Sequence, residues 1–206
     1  MNEFMKAMEF RHACKRFDTA KRIPEDELAQ LMEIVRLSPS SFGMEPWRLI
    51  VVRSPELKAK LRPLCWNQPQ VTECSELVIF TTDNESVKGG TEYVKAMFSR
   101  RGLDAEMTAK YQEVYANYLA SLEADERLLE NWTAKQCYIA AANLMTGAAS
   151  LQIDSCPIEG FEKEKVEACL ELEVGEHAAL IVALGYRTQP QSERARLELS
   201  EIVRYM

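Results

Sequence analysis

Three short segments of this 206-residue chain combine residue types that can hold a ligand. The first, Arg11-His12-Ala13-Cys14-Lys15-Arg16-Phe17, sets four donor-bearing side chains within six residues. On a helix or tight turn, Arg11 and Lys15 are four apart and can face one partner. Arginine forks a phosphate bidentately and lysine adds a point charge, so in an acidic chain this cluster asks for an anion. The other reading is a solvated basic face paired to nearby acids. The second segment, Ser38-Pro39-Ser40-Ser41-Phe42-Gly43-Met44-Glu45-Pro46-Trp47, is a stiff loop with hydroxyls and free backbone N–H groups between prolines. It can bond a polyol or the polar edge of a flat ring, or simply connect a helix to a strand. In the third, Asp154-Ser155-Cys156-Pro157-Ile158-Glu159-Gly160-Phe161, Pro157 fixes the backbone and Gly160 permits close approach or positive φ. Its N–H groups at Glu159 and Gly160 could be aimed at a ring nitrogen, or it is a turn with no ligand.

Other chemistries find little support. No GxGxxG or GxxxxGK[ST] occurs, so a Rossmann or P-loop phosphate cradle is not expected. G-x-S-x-G and HExxH are also missing. Of the two histidines, His12 and His177, the second lies in a polar turn and reads as an ordinary surface residue. The six cysteines, at 14, 65, 74, 137, 156 and 169, show no CxxC or zinc-like spacing and read as reduced, mostly buried thiols. Cations around Cys14 could lower its pKa. Cys156 borders the third segment and reads as packing. Lys+Arg 25 against Asp+Glu 32 gives −7, which argues against nucleic acid. No apolar run of transmembrane length and no signal-peptide pattern is seen, so a soluble, cytoplasmic protein without membrane partners is expected.

The elements that must position these segments read as α+β. A helix opens near Pro24, carries Leu28, Leu31, Met32 and Val35 at helical spacing, and stops before Pro39. Arg48 to Arg53, Leu77 to Thr82 and Ala178 to Tyr186 read as strands, the last apolar enough to be buried on both faces. Ser86 to Glu130 reads as a helical excursion, and Asn131 to Leu151 as a long helix rich in small residues. One domain over 1–206 is expected, with the excursion at about 86–130 and a C-terminal extension at about 187–206.

Taken together, the three segments are specific. The RHxxKxF start, the Pro-Ser-Ser…Pro-Trp loop and Trp132-x-Ala134-Lys135-Gln136 resemble the FMN-dependent nitroreductase family, as do Cys156-Pro157-Ile158-Glu159-Gly160-Phe161 and the Gly185-Tyr186-Arg187…Arg194-Ala195-Arg196-Leu197 ending. The likeness is to the oxygen-insensitive NAD(P)H nitroreductases and the related dihydropteridine reductases, and spans nearly all of the chain.

The resemblance implies a nitroreductase-like fold with a central mixed sheet flanked by helices and a homodimer whose core is the long helix. Two FMN sites would lie in the interface. Arg11, Lys15, Arg194 and Arg196 would hold the phosphate, with His12 and Ala13 in the same segment. Ser40, Ser41 and Gly43 would reach the flavin of the other subunit, and Asn67 and Gln70 would face the ribityl chain and pyrimidine ring. Pro157, Ile158, Glu159 and Gly160 would lie over the isoalloxazine, with the Glu159 N–H near N5. Tyr118 would face the substrate. No metal and no catalytic side chain are implied, since the flavin carries the chemistry. Gly43 stands where relatives often have Asn, and Glu45 where they often have Gln, removing one polar contact and adding a charge. The implied reaction is ping-pong hydride transfer from NADH or NADPH through flavin N5 to nitroaromatics, quinones or similar acceptors. A dihydropteridine or enone reductase and a non-turnover flavin-binding redox sensor are the alternatives.

Overall fold

A computed structural model describes residues 2–206. Its sheet has four strands, β1 (Trp47–Val52), β2 (Glu76–Asp83), β3 (Asp154–Ile158) and β4 (Glu176–Gly185), in the order β1-β2-β4-β3. All three ladders are antiparallel. The parallel component expected of a mixed sheet shrinks to an isolated bridge from Ala13 to Ser155. β3 is the strand that sequence reading leaves as a turn. It tolerates Pro157, which has no N–H to donate, because it lies at the sheet edge and pairs with β4 alone.

The two-residue period of β2 and β4 builds two cores. Val78, Phe80, Leu180, Val182 and Leu184 face one side, where α2 (Glu25–Arg36) and α7 (Glu126–Ser150) cover them with Leu31, Val35, Cys137, Ala140, Ala141 and Leu144. Leu77, Ile79, Ile181 and Ala183 face the other, against α3 (Pro55–Leu64), α4 (Gln70–Glu73) and α8 (Lys163–Leu170). β2 and β4 are therefore buried on both faces, as their unbroken apolar runs require.

α7 is longer than the sequence pattern suggests, because Asp125 caps it five residues before Glu130 ends the expected excursion. The excursion resolves into α5 (Glu92–Ser99) and α6 (Ala105–Glu123), with a small core of Met44, Val87, Phe98, Tyr115, Leu119 and Trp132. α1 (Glu3–Phe10) packs on α7. Beyond Tyr186 the chain forms a largely exposed tail whose one helix, α9 (Leu199–Ile202), is a single turn.

Leu144 is fully buried between α7 and the sheet. Leu144→Ala is expected to lower unfolding stability by about 2–5 kcal/mol, read as a reduced midpoint at unchanged slope in denaturant titration.

Candidate functional site

The first segment is extended, not helical. α1 ends at Phe10, and Ala13 and Phe17 make isolated bridges to Ser155 and Arg187. Arg11 and Lys15 are thus not paired by a helical repeat. The segment is instead clamped along the start of β3, where the Cys14 N–H donates to the Ser155 carbonyl at 3.0 Å.

Each cation of the segment has a different neighbour. Arg16 pairs with Glu73 at 3.0 Å, as the solvated-face reading anticipated for one of them. Lys15 Nζ lies 3.6 Å from Cys156 Sγ. Arg11 faces two more guanidiniums. Burial, then Arg194 and Arg196, push its pKa below the ordinary arginine value. Among the described residues, Arg11, Lys15, Arg194 and Arg196 have no carboxylate within ion-pair distance. Cations held together in this way stabilise a bound anion.

Arg194 has a second role that its sequence position does not show. It donates to the Met8 carbonyl at 2.6 Å, the Glu9 carbonyl at 3.1 Å and the Arg11 carbonyl. It therefore caps the C-terminal end of α1 and ties the tail beside the cation cluster. Arg196 bonds only its own chain neighbour, the Ala195 carbonyl, and remains available.

Beneath the cluster lies a buried network. Asp154 accepts the Arg187 N–H at 2.8 Å and pairs with Arg187 Nε at 2.8 Å, while His12 Nδ1 stands 3.6 Å away. Arg187 also stacks over Phe10, 4.3 Å from the ring centre. Burial and the Arg187 charge hold the His12 pKa below the usual imidazole value, partly offset by Asp154. His12, Cys14 and Asp154 bring ligand atoms within 4.8 Å of one another, a spacing that could suit a metal ion. Arg187 already neutralises that carboxylate. Burial, reinforced by Asp154, pushes the Cys14 pKa up to about 11, the opposite direction to the lowering that nearby cations could have given.

The other segments assemble around the same strand. Gln70 is buried, donating to Gln68 Oε1 at 2.8 Å with Cys156 Sγ at 3.8 Å. Asn67 takes a left-handed φ of 56°. Pro157 and Ile158 close β3, paired with Val182 and Ile181, and continue through Glu159 and Gly160 as a strap; Gly160 is not in the left-handed region, so positive φ does not explain it. Tyr138 of α7 donates to the Glu159 carboxylate at 2.8 Å. Burial, followed by that bond, pushes the Tyr138 pKa up to about 12. Glu159, Tyr138, Phe161, Trp132 and Tyr118 line one open cleft of about 900 Å³, so the substrate-facing position expected at Tyr118 shares a cavity with the strap.

Ser40, Ser41 and Gly43 lie in a loop held by its own bonds and by α7. Ser40 Oγ accepts the Glu45 N–H at 2.9 Å, and the Ser41 N–H donates to Gln136 at 2.8 Å. Gly43 has a φ of 60°, in the left-handed region that favours glycine. Phe42 packs edge-on to Tyr115, anchoring the loop to the excursion. Sequence reading does not show that Asp154 pairs with Arg187, or that Trp66 and Asn67 are left-handed. A buried acid shows itself in sequence only through its partner, here 33 positions away.

The nitroreductase family model matches residues 8–186. A protein of Staphylococcus haemolyticus provisionally named an NAD(P)H nitroreductase is 37% identical, the match covering 97% of this chain and 95% of that one. The chain belongs to the nitroreductase family. Among solved structures, a nitroreductase-like protein of Streptococcus mutans superposes with a TM-score of 0.89 at 21% identity, covering 100% of this chain and 99% of its own. A nitroreductase-type protein of Exiguobacterium sibiricum, solved with FMN, gives 0.82 at 24% identity over 100% and 98% of the two chains. This nitroreductase-family chain thus shares the fold over its whole length. Among the described residues no helix is long and apolar enough to cross a membrane.

His12 supplies a pH test of the buried network. Its folded pKa lies below the unfolded value of roughly 6.5. The unfolded chain therefore binds the extra proton first, and stability should fall as pH drops below about 6.5 until the folded pKa is passed. Urea midpoints measured from pH 7 to 5 should decline less steeply in His12→Gln than in the unaltered protein.

Proposed function

We propose that the chain is an FMN-dependent oxidoreductase that takes electrons from NADH or NADPH and passes them to nitroaromatics, quinones or similar acceptors. The observation that carries this reading is the cluster of Arg11, Arg194 and Arg196 without a carboxylate partner among the described residues, with Lys15 reaching Cys156 just before the strap. The provisional name of the staphylococcal relative and the FMN in the Exiguobacterium structure support it.

The residues fit FMN. Arg11, Lys15 and Arg196 would hold the phosphate, Arg194 would fix the tail that delivers Arg196, and His12 and Ala13 would line the same segment. Asn67 and Gln70 would face the ribityl chain and pyrimidine ring, and Pro157, Ile158, Glu159 and Gly160 the isoalloxazine, with the Glu159 N–H toward N5. When bound, FMN would supply the two-electron hydride chemistry. The protein supplies orientation and fixed charge: cations on one side favour the negative charge gained on reduction, and main-chain donors need no reorganisation. Donor and acceptor would share the cleft beside Tyr118, which makes ping-pong kinetics the expected form. One domain over 1–206 completes the reading.

A homodimer is part of the proposal. α7 exposes Tyr138 and Ile139, and an apolar groove of about 480 Å³ runs between α1, α2 and α7, lined by Phe4, Ala7, Ile34, Leu37 and Gly147. The tail adds exposed Leu197, Leu199, Ile202 and Tyr205. Unpartnered apolar surface on this scale is rarely left to water. Pairing through α7 would bring Ser40, Ser41 and Gly43 to the flavin of the other subunit.

The decisive experiment is an absorption spectrum of the purified protein, followed by anaerobic NADH or NADPH. Flavin bands that bleach with either nicotinamide are expected; a colourless protein that FMN cannot reconstitute sinks the reading. Arg11→Ala and Arg196→Ala should each raise the FMN dissociation constant roughly 10- to 150-fold, since each removes a charge-assisted bond of about 1.5–3 kcal/mol. Ile139→Glu should yield monomers in sedimentation, with loss of bound flavin.

A further inference from the structure

Gly160 lacks a side chain for a reason that lies within the protein. A Cβ built there would stand 2.5 Å from Cε3 and 2.7 Å from Cζ3 of Trp66, and 3.2 Å from Nε2 of Gln68. The space is filled by the edge of an indole. Trp66 is nonetheless 68% exposed, whereas Trp47 and Trp132 are buried, so burial of its ring is not what holds it.

What holds it is backbone. Trp66 and Asn67 follow α3 with φ values of 53° and 56°. A bulky residue rarely adopts that region, and each such residue costs about 1–3 kcal/mol unless its surroundings enforce it. Here they do. The Asn67 N–H donates to the Arg62 carbonyl at 3.0 Å, and Arg62 Nε returns a bond to the Asn67 carbonyl at 3.3 Å. Gln68 Nε2 donates to the Gly160 carbonyl at 2.9 Å, and Gln70 fixes Gln68 in turn. Just past the strap, the Glu162 N–H donates to the Leu64 carbonyl at 2.8 Å. The end of α3 and its strained loop thus grip the strap from one side.

We propose that Trp66 is a positioning residue for the Pro157–Gly160 strap: its indole edge bears on Gly160, sets the depth of the strap together with the Gln68 bond, and is the reason position 160 is glycine. This rests on the reading of the strap as the flavin-facing segment. Trp66 acts through Gly160 on the main chain that would face the flavin ring, and so influences how tightly the flavin is held and how readily it is reduced.

A double-substitution cycle tests this, read by FMN titration of the apoprotein and by the midpoint potential of the bound flavin. Trp66→Ala frees the strap and Gly160→Ala forces the ring away, so each should weaken FMN binding about tenfold through lost preorganisation. If the ring is what requires glycine, the two changes share one cause and are strongly non-additive. Gly160→Ala should then cost less than about twofold in the Trp66→Ala background, and Trp66→Phe, which keeps a ring edge, should stay within about twofold of the unaltered protein. The midpoint potential should shift in Trp66→Ala and return in Trp66→Phe, a response that a loss of stability alone would not produce. An equal cost for Gly160→Ala in both backgrounds overturns the proposal, as does Trp66→Ala with unchanged affinity and potential. Failure of the unaltered protein to bind FMN would overturn the flavin reading itself, an outcome separate from an additive cycle in a protein that binds FMN normally.

Discussion

The buried carboxylate of Asp154 is the constraint on which the site depends. A charge taken out of water must be paired and hydrogen-bonded or its desolvation is prohibitive. Asp154 meets that need by accepting the Arg187 backbone N–H and pairing with the Arg187 side chain. The consequence is topological. Asp154 opens β3, Arg187 follows the end of β4, and His12 comes from the segment after α1. Three distant parts of the chain are brought to one point at the sheet edge, and the cations on either side of them become neighbours.

Around that point the protein accumulates unfavourable features that compensate one another. Arg11 stands among like charges. Trp66 and Asn67 occupy backbone conformations other residues would avoid. Lys15 rests against a sulfur atom, and Nδ1 of the half-buried His12 ring has no hydrogen bond. Crowded like charge and strained backbone cluster where a fold has been shaped around a ligand. A scaffold buried on both faces of β2 and β4 supplies the rigidity to hold them.

The fold was legible wherever local pattern and tertiary demand agree. The apolar runs at β2 and β4 announce strands, that of β4 one covered on both sides, and the Leu28–Val35 spacing announces a helix that packs on the sheet. β3 was not legible, because Pro157 and a segment of mixed polarity contradict strand propensity; an edge position with a single partner removes the contradiction. The extended form of Arg11 to Lys15 was equally hidden, since donors four apart suit a helix as well as a strand that happens to be bridged. For the site, Arg11, Lys15, Gln70 and the strap were readable as types. Arg194 was readable as a cation but not as the cap of α1.

By itself, the sequence determined the composition of the site and the class of the fold, because both follow from residue type and short-range period: cations and flexible or rigid backbone at given positions, and two-residue or helical spacing of apolar side chains. Tertiary structure alone decided which of those residues meet. Burial raised the pKa of Cys14 where its cationic neighbours could have lowered it, the Ala13–Ser155 bridge set the first segment along β3, and the Trp66 ring gave Gly160 its reason. Proximity, desolvation and steric exclusion depend on distances between residues far apart in the chain, and no local pattern encodes them.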